Sequence, residues 1–326
     1  MKHGFSDISK DWNLQCLKHA SELTFTSNVL VCPFGCIFQI INDIPRFTSE
    51  EYSSSFAFQW KRFPITQFDS VSKLPVTLNR LKEACGENLW PHLSKWKVLE
   101  AGCGAGRFTE VLLKEGADVL SSDLSQAIDV NIGNFPITSK HLGIQADLQN
   151  LPIQPNSYDL VCCLGVLQHT PNPEKSIESL IRHVKPGGWL VIDHYARSRT
   201  AYFRTAYLVR IMLKRLPPEV SMRLVSGIYS FSSPFFGFSR NRFYRKILLV
   251  LFPIVYFDEE IPNLSKEAKR EWGILDTFDA LTDWYKHKRD GAEIRATLLG
   301  AGLINVTTFE GGNGIVARGQ KSLTTL

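Results

Sequence analysis

The stretch Val98-Leu99-Glu100-Ala101-Gly102-Cys103-Gly104-Ala105-Gly106-Arg107-Phe108 constrains this chain more than any other. A short apolar run leads into glycines at every second position, and a helix start follows. The pattern reads as a buried strand over Lys97 to Ala101, a tight turn, and a helix over Arg107 to Glu115. Without side chains, Gly102 and Gly104 let the backbone approach a ligand, and Gly106 lets the helix pack on the strand. Such a turn occurs in many doubly wound proteins, so the glycines alone do not name the ligand. The order E-x-G-x-G-x-G differs from the G-x-G-x-x-G that seats a pyrophosphate on a helix N-terminus. Glu100 would repel a phosphate and tolerate an ammonium group, so the turn suits a phosphate-free ligand.

A regular alternation surrounds this turn. Strands are expected at Asp118 to Ser122, His141 to Gln145, Tyr158 to Leu164 and Trp189 to Tyr195. Helices intervene from Ser125 and over Glu174 to His183, the latter ended by Lys185-Pro186-Gly187-Gly188. Single helices between strands imply right-handed crossovers and a parallel sheet. After a long interruption, a helix over Gly291 to Leu299 and the strands Asn305 to Glu310 and Gly314 to Arg318 complete the pattern, adding an antiparallel hairpin. The expected fold class is α/β: a doubly wound, seven-stranded, mostly parallel sheet. Residues 71–195 and 286–326 form its core, 1–70 an irregular N-terminal extension, and 196–285 a helical lid after the fifth strand. Val71 to Trp96 reads as helical, with Leu74, Leu78, Leu81 and Ala84 on one face.

Four groups sit at the carboxyl ends of strands, where open α/β sheets bind ligands. The first is the glycine turn. The second is Asp123, about 20 residues on, placed to accept from ribose hydroxyls, though it also suits a helix N-cap. Next come Asp147 and Leu148, an acceptor for an adenine amino group and an apolar cover for the ring; a turn aspartate explains Asp147 as well. The fourth is Leu164-Gly165-Val166-Leu167-Gln168-His169. With these on the page, residues 97–195 resemble a class I S-adenosylmethionine-dependent methyltransferase of the small-molecule type. The matching blocks are VLEAGCGAGRF, SSDLS, ADLQNLPIQPNSYDLVCCLGVLQHTPNP and VKPGGWLVI. The resemblance implies S-adenosylmethionine as cofactor, held by Glu100, Gly102, Cys103, Gly104, Gly106, Asp123, Leu124, Asp147, Leu148, Leu164, Gly165 and His169. Glu100 stands where an aspartate is common, and Gln168-His169 where His-His is frequent.

The flanking regions bear on the acceptor. Gln59-Trp60-Lys61-Arg62-Phe63 resembles a segment that precedes the fold in such enzymes, and there Trp60 would close over the cofactor; packing of the extension on the core explains it equally. Cys32-Pro33-Phe34-Gly35-Cys36 resembles half of a zinc-ribbon module. A structural zinc needs four ligands, and the nearest extra candidates are Cys16 and His19, with no second cysteine pair, so the expectation is a metal-free remnant. Residues 196–250 hold eleven basic side chains and one acidic one, Glu219, although the whole chain is only +5. Arginines interleaved with aromatics, as in Tyr202-Phe203-Arg204 and Phe243-Tyr244-Arg245, suggest a basic lid over an anionic or phosphate-bearing small acceptor, or a solvated basic face. Peripheral contact with an anionic membrane is compatible with the apolar run Ile247 to Phe257, which is too short to span a bilayer.

The sulfonium donor is already activated, so catalysis needs positioning and a proton acceptor for an O or N nucleophile. His169, His194 and Tyr195 are the candidates near the strand ends, His169 first and His194 second. The acceptor reads as a sugar, a lipid-linked compound or a natural-product intermediate. Alternatives are an RNA methyltransferase, disfavoured because no RNA-binding module accompanies the fold, and a membrane-surface lipid or quinone-type enzyme. Hydrophobic residues are 44% and charged residues 21%, an ordinary globular balance that excludes a disordered chain. Seven cysteines, an odd number with Cys162 and Cys163 adjacent, and an N-terminus without an apolar leader point to reduced thiols and a cytoplasmic setting.

Overall fold

The computed structural model describes residues 12–48, 54–197, 205–237, 241–257, 261 and 263–323. Tyr202, Phe203 and Arg204 lie outside them. The chain divides into two compact units: residues 1–51, 76–197 and 285–326 form one, and residues 52–75 and 198–284 the other.

The first unit opens with a small sheet of β1 (Thr24–Thr26), β2 (Val29–Val31), β3 (Ile37–Ile41) and β4 (Ile44–Pro45). It gives regular structure to a stretch that the sequence suggests is irregular. Its two-residue hairpin turns place Ser27-Asn28 and Asn42-Asp43 at positive φ. That is the geometry that matches strand twist, and asparagine and aspartate tolerate it best after glycine.

The main sheet holds β5 (Lys97–Ala101), β6 (Asp118–Asp123), β7 (His141–Gln145), β8 (Tyr158–Cys163), β9 (Val184–Tyr195), β10 (Leu303–Gly311) and β11 (Gly314–Lys321). Their spatial order is β10-β11-β9-β8-β5-β6-β7. Strands β5 to β9 pair in parallel, while β11 runs antiparallel to both β9 and β10. The doubly wound, seven-stranded, mostly parallel sheet is therefore present. Alternate residues feed two separate cores, as strand pleating requires. Leu99, Leu120, Val161 and Ile192 meet Ile177, Leu180, Ile294 and Leu298 on one face. Val98, Val119, Leu160 and Val191 meet Leu81, Phe108, Val111 and Leu112 on the other. Burying each such side chain contributes about 1.5–3 kcal/mol, which is why β5 and β8 are mostly apolar on both faces.

Helix ends follow local rules. Pro173–His183 starts after Asn172, whose side chain accepts from the Lys175 N–H at 3.0 Å. Gly291–Gly300 begins with a reciprocal capping box between Asp290 and Glu293. The continuous helix expected over 71–96 is instead three pieces: Asp69–Ser72, Val76–Cys85 and a 3-10 turn at Trp90–Lys95. Pro75 and Pro91 remove backbone donors, and Gly86 at φ +75° ends the middle piece. Strand β9 also starts earlier than expected, at Val184. The Lys185-Pro186-Gly187-Gly188 run is absorbed as an irregularity in the β8–β9 register, with Gly187 at φ +79°.

The second unit is helical: Ser54–Arg62, Asp69–Ser72, Thr205–Leu213, Pro218–Gly237, Arg242–Leu251 and Lys266–Thr282. Phe63, Leu213, Val225, Tyr229, Phe236 and Phe278 lead its core. Gly273 permits close helix packing, since a Cβ there would fall 2.3 Å from the Tyr229 hydroxyl. Arg210 and Asp283 form a 2.6 Å ion pair. Residues 52–75 thus group with 198–284, and not with the segment before them. No helix among the described residues is long and apolar enough to cross a membrane.

Candidate active site

The glycine turn lies at the carboxyl end of β5 and is braced by the neighbouring strand. The N–H groups of Gly102 and Cys103 both donate to the Ser122 carbonyl, at 2.7 and 3.0 Å. The Gly104 N–H donates to Asp123 Oδ2 at 2.9 Å. Asp123 Oδ1 accepts from the Ser125 N–H and hydroxyl at 2.8 and 2.7 Å. This aspartate is thus both a loop brace and a local cap, and burial raises its pKa. A carboxylate has about four acceptor positions, so three bonds leave capacity for a ribose hydroxyl.

Two glycines are required here by space as well as conformation. Gly102 has φ +80°, and a Cβ on it would fall 2.3 Å from the Val166 side chain. Gly106 has φ +104°, and its Cβ would meet the Phe135 ring at 2.7 Å. Cys103 is buried beside Ile44 and Ile128, and burial pushes its thiol up. It is a wall residue, not a nucleophile.

Glu100 points into a polar network beneath the turn. Its Oε2 accepts from the Thr109 hydroxyl at 2.5 Å and the Ser121 hydroxyl at 3.3 Å. Ser121 Oγ in turn lies 3.0 Å from His141 Nε2. Burial pushes the Glu100 carboxyl up to about 8 and the His141 ring down to about 4. Glu100 Oε1 is buried without a hydrogen-bond partner of good geometry among the described residues. An ammonium group is what such an oxygen would accept from.

Further along the strand tips, Asp147 Oδ1 accepts from the Gln149 N–H at 2.9 Å, and Leu148 is buried beside it. The Leu124 carbonyl takes the Gln145 amide at 2.9 Å, which ties the β6 and β7 tips together. A cradle free of side chains, two acidic tips and an orphaned carboxyl oxygen fit a nucleoside that bears an amino-acid tail and no phosphate.

The tips of β8 and β9 are built differently. After Leu164, Gly165 takes φ +79° and its N–H donates to Asp193 Oδ1 at 2.5 Å. Arg80 holds the other oxygen of this buried aspartate at 2.5 Å. Val166, which abuts Gly102, leads into a 3-10 turn at Leu167–His169. His169 Nδ1 lies 3.2 Å from the Tyr285 carbonyl. A carbonyl only accepts, so Nδ1 carries a proton, and in the neutral ring Nε2 then carries the lone pair. Tyr195 stacks edge-on against His169 at 5.4 Å, with Lys286 over its ring at 5.2 Å. The His287 N–H donates to the Gln168 carbonyl at 2.9 Å. Among the described residues, both ring nitrogens of His194, both amide atoms of Gln168 and His287 Nε2 are buried without hydrogen-bond partners of good geometry. Burial lowers His194 to about 4, so the ring is neutral near pH 7.

The structure therefore places Glu100, Gly102, Cys103, Gly104, Gly106, Asp123, Leu124, Asp147, Leu148, Leu164, Gly165, His169, His194 and Tyr195 at adjoining strand tips of one unit. Trp60 belongs to the other unit, where it packs with Phe58 against the Phe278 core. Tyr285 and His287 are not among the site residues that the sequence offers. They lie in an irregular stretch whose only signal is a cluster of rings and lysines, Trp284 to Lys288.

Comparison with known proteins adds a chemistry. A family described as a methyltransferase domain matches residues 99–192. The chain is 27% identical over 172 residues to the ubiquinone biosynthesis O-methyltransferase of Leptothrix cholodnii, spanning 50% of this chain and 69% of that protein. It is 29% identical over 177 residues to the enzyme of the same name from Nitrosomonas europaea, spanning 51% and 70%. Among solved structures, a SAM-dependent methyltransferase of Thermotoga maritima aligns with TM-score 0.44 at 14% identity, covering 83% of this chain and 99% of that one. Human N-acetylserotonin methyltransferase in complex with SAM aligns with TM-score 0.43 at 13% identity, covering 84% and 59%.

Proposed function

We propose, from the premise that this chain is an S-adenosylmethionine-dependent methyltransferase with its methyltransferase domain at residues 99–192, that it methylates a hydroxyl oxygen of a small acceptor held beside the tips of β8 and β9. The observation that carries this reading is the burial of Gln168 and His194 with no hydrogen-bond partner of good geometry on either side chain among the described residues. Whole polar side chains left so are costly, and a polar acceptor would offset that cost. Oxygen as the methylated atom rests on the relatives, both named O-methyltransferases.

When bound, S-adenosylmethionine supplies an activated methyl group whose carbon–sulfur bond breaks as the acceptor oxygen attacks. The glycine turn, Asp123, Asp147, Leu148, Leu164 and Gly165 would hold the cofactor, and Glu100 Oε1 would accept from its ammonium group. His169 Nε2 takes the proton from the acceptor hydroxyl, in the tautomer fixed by the Tyr285 carbonyl. His194 and Gln168 orient the acceptor, and Tyr195 fixes the His169 ring. Excluding water and setting the attack distance supply much of the rate.

For the acceptor, the excess of arginine and lysine between residues 196 and 250 supports an anionic or phosphate-bearing compound. A second reading is an acceptor presented at a lipid surface. The helices of the second unit leave Leu208, Phe231 and Phe243 about 70% exposed, and two of these helices also carry the exposed cations Arg223 and Lys246. The test is methyl incorporation from labelled donor into sugar phosphates, prenylated phenols with and without anionic vesicles, and RNA. Label on the oxygen of a small molecule is expected, and vesicle stimulation would select the second reading. Label in RNA alone, or in none of them, would overturn the proposal.

A further inference from the structure

We propose that Cys16, His19, Cys32 and Cys36 form a tetrahedral structural zinc site, and that this site anchors the hairpin forming one wall of the cofactor turn. The four side chains come from two short segments, Cys16-x-x-His19 and Cys32-x-x-x-Cys36, and their donor atoms all lie within 4.8 Å of one another. The three sulfurs sit 3.7, 3.4 and 3.5 Å from His19 Nδ1, for Cys16, Cys32 and Cys36 respectively. Zinc bonds of about 2.3 Å to sulfur and 2.1 Å to nitrogen, at tetrahedral angles, require S···N edges of roughly 3.6 Å. One imidazole nitrogen has a single lone pair or a single proton, so it cannot satisfy three thiols by hydrogen bonding.

The local backbone is shaped for the same purpose. Gly35 takes φ +85°, its N–H donates to the Cys32 carbonyl at 3.0 Å, and the Cys36 N–H donates to Cys32 Sγ at 3.3 Å. This tight turn aims both sulfurs at one point, and the N–H supports a thiolate. Cys16 and Cys32 are buried while His19 and Cys36 are half-buried. All seven cysteines are free, and the other four are buried. Three thiolates and an imidazole with no open position select zinc in a structural role over metals that prefer oxygen. The four side chains are those the sequence offers, and their convergence replaces the expectation of a metal-free remnant.

The connection to the cofactor turn runs through one hairpin. Cys36 leads directly into β3, and β4 returns alongside it. Ile44 of β4 packs with Cys103 of the glycine turn and Ile128 behind it. Arg46 pairs with Asp129 at 2.6 Å and donates to Gln145 at 3.2 Å. The Phe47 N–H donates to the Gln145 carbonyl at 2.8 Å. A metal that fixes the start of β3 thus fixes the residues that press on Cys103.

The test begins with the full-length protein, by elemental analysis and cobalt substitution. About one zinc per chain is expected, and the cobalt form should show thiolate charge-transfer bands with the visible pattern of a tetrahedral ion. The paired change Cys32→Ser and Cys36→Ser should abolish both signals, while Cys85→Ala, in a separate core, should keep them. Stripping the metal with a chelator should weaken binding of S-adenosylhomocysteine, measured calorimetrically, by at least ~5-fold. Absence of zinc with no cobalt spectrum in the unaltered protein, or a disulfide among Cys16, Cys32 and Cys36, would overturn the metal site. Unchanged cofactor affinity in the stripped, folded protein would overturn the anchoring role. Neither readout depends on the identity of the methyl acceptor.

Discussion

The two halves of the strand-tip site are built on opposite principles. Around β5, β6 and β7 the backbone does the binding, and the polar side chains are largely committed to one another. Asp123 braces Gly104, and Glu100 Oε2 is shared by Thr109 and Ser121. The atoms left over there are Ser122 Oγ and single oxygens of Glu100 and Asn131. Around β8 and β9 whole side chains, Gln168 and His194, are buried with no hydrogen-bond partner among the described residues. The first half is preorganised for one ligand, so little reorganisation accompanies binding. The second half keeps its hydrogen-bonding capacity for a partner, which is how a site rejects molecules that lack the right polar groups.

The contrast breaks most sharply at Gly102. Gly102→Ala puts a Cβ 2.3 Å from Val166 in a left-handed conformation. Cofactor affinity by calorimetry should fall roughly 10³-fold, about 4 kcal/mol. Retained affinity would mean that the turn is not backbone-built.

Glu100→Gln sharpens the same half. The carboxyl titrates at about 8 in the folded protein against 4.5 for an ordinary glutamate. Between those values the unfolded chain releases a proton that the folded chain keeps, so folded stability falls as pH rises from 4.5 to 8. The amide removes this loss. Without cofactor, urea unfolding should find the variant about 4 kcal/mol more stable than the parent at pH 8 and nearly equal to it at pH 4. A pH-independent difference would show that the buried network is not protonated. Cofactor binding by the same variant should weaken, because the amide carries no negative charge for the ammonium group and its NH2 would donate where Oε1 accepts.

The acceptor half is probed by His169→Ala. Turnover should drop at least ~10²-fold while cofactor affinity holds within about twofold. Unchanged turnover removes His169 from proton transfer, and lost cofactor affinity would erase the division between the halves. The mildest effect is expected at Asp123→Asn, which keeps an oxygen for the Gly104 N–H but loses the charge. Cofactor affinity should fall about tenfold, the size of one weakened hydrogen bond to a charged group. Loss as large as that of Gly102→Ala would mean that Asp123 holds the turn together.

How far the sequence could be read follows the same line. Glycine spacing, acidic residues at predictable strand ends and the period-two and period-3.6 patterns are local, and they sufficed to put the candidate cofactor residues on strand tips. The breaks at Pro75, Gly86 and Pro91 were also visible as residues, but helical periodicity outweighed them. The grouping of 52–75 with 198–284 left no signal, because apolar helix faces such as those holding Trp60 and Phe278 say that burial occurs and not against what.

Taken alone, the amino-acid order determined the α/β class, the strand sequence, the cofactor turn and the type of chemistry, since each is encoded within about twenty consecutive residues. Only the tertiary structure decided which distant groups meet. It set the Tyr285 carbonyl against His169, 116 positions away, left Gln168 and His194 buried without partners, and closed two short Cys/His segments around one point. The reason is physical: hydrophobic periodicity specifies faces, whereas the pairing of faces depends on loop closure and on which buried polar atoms can be satisfied together.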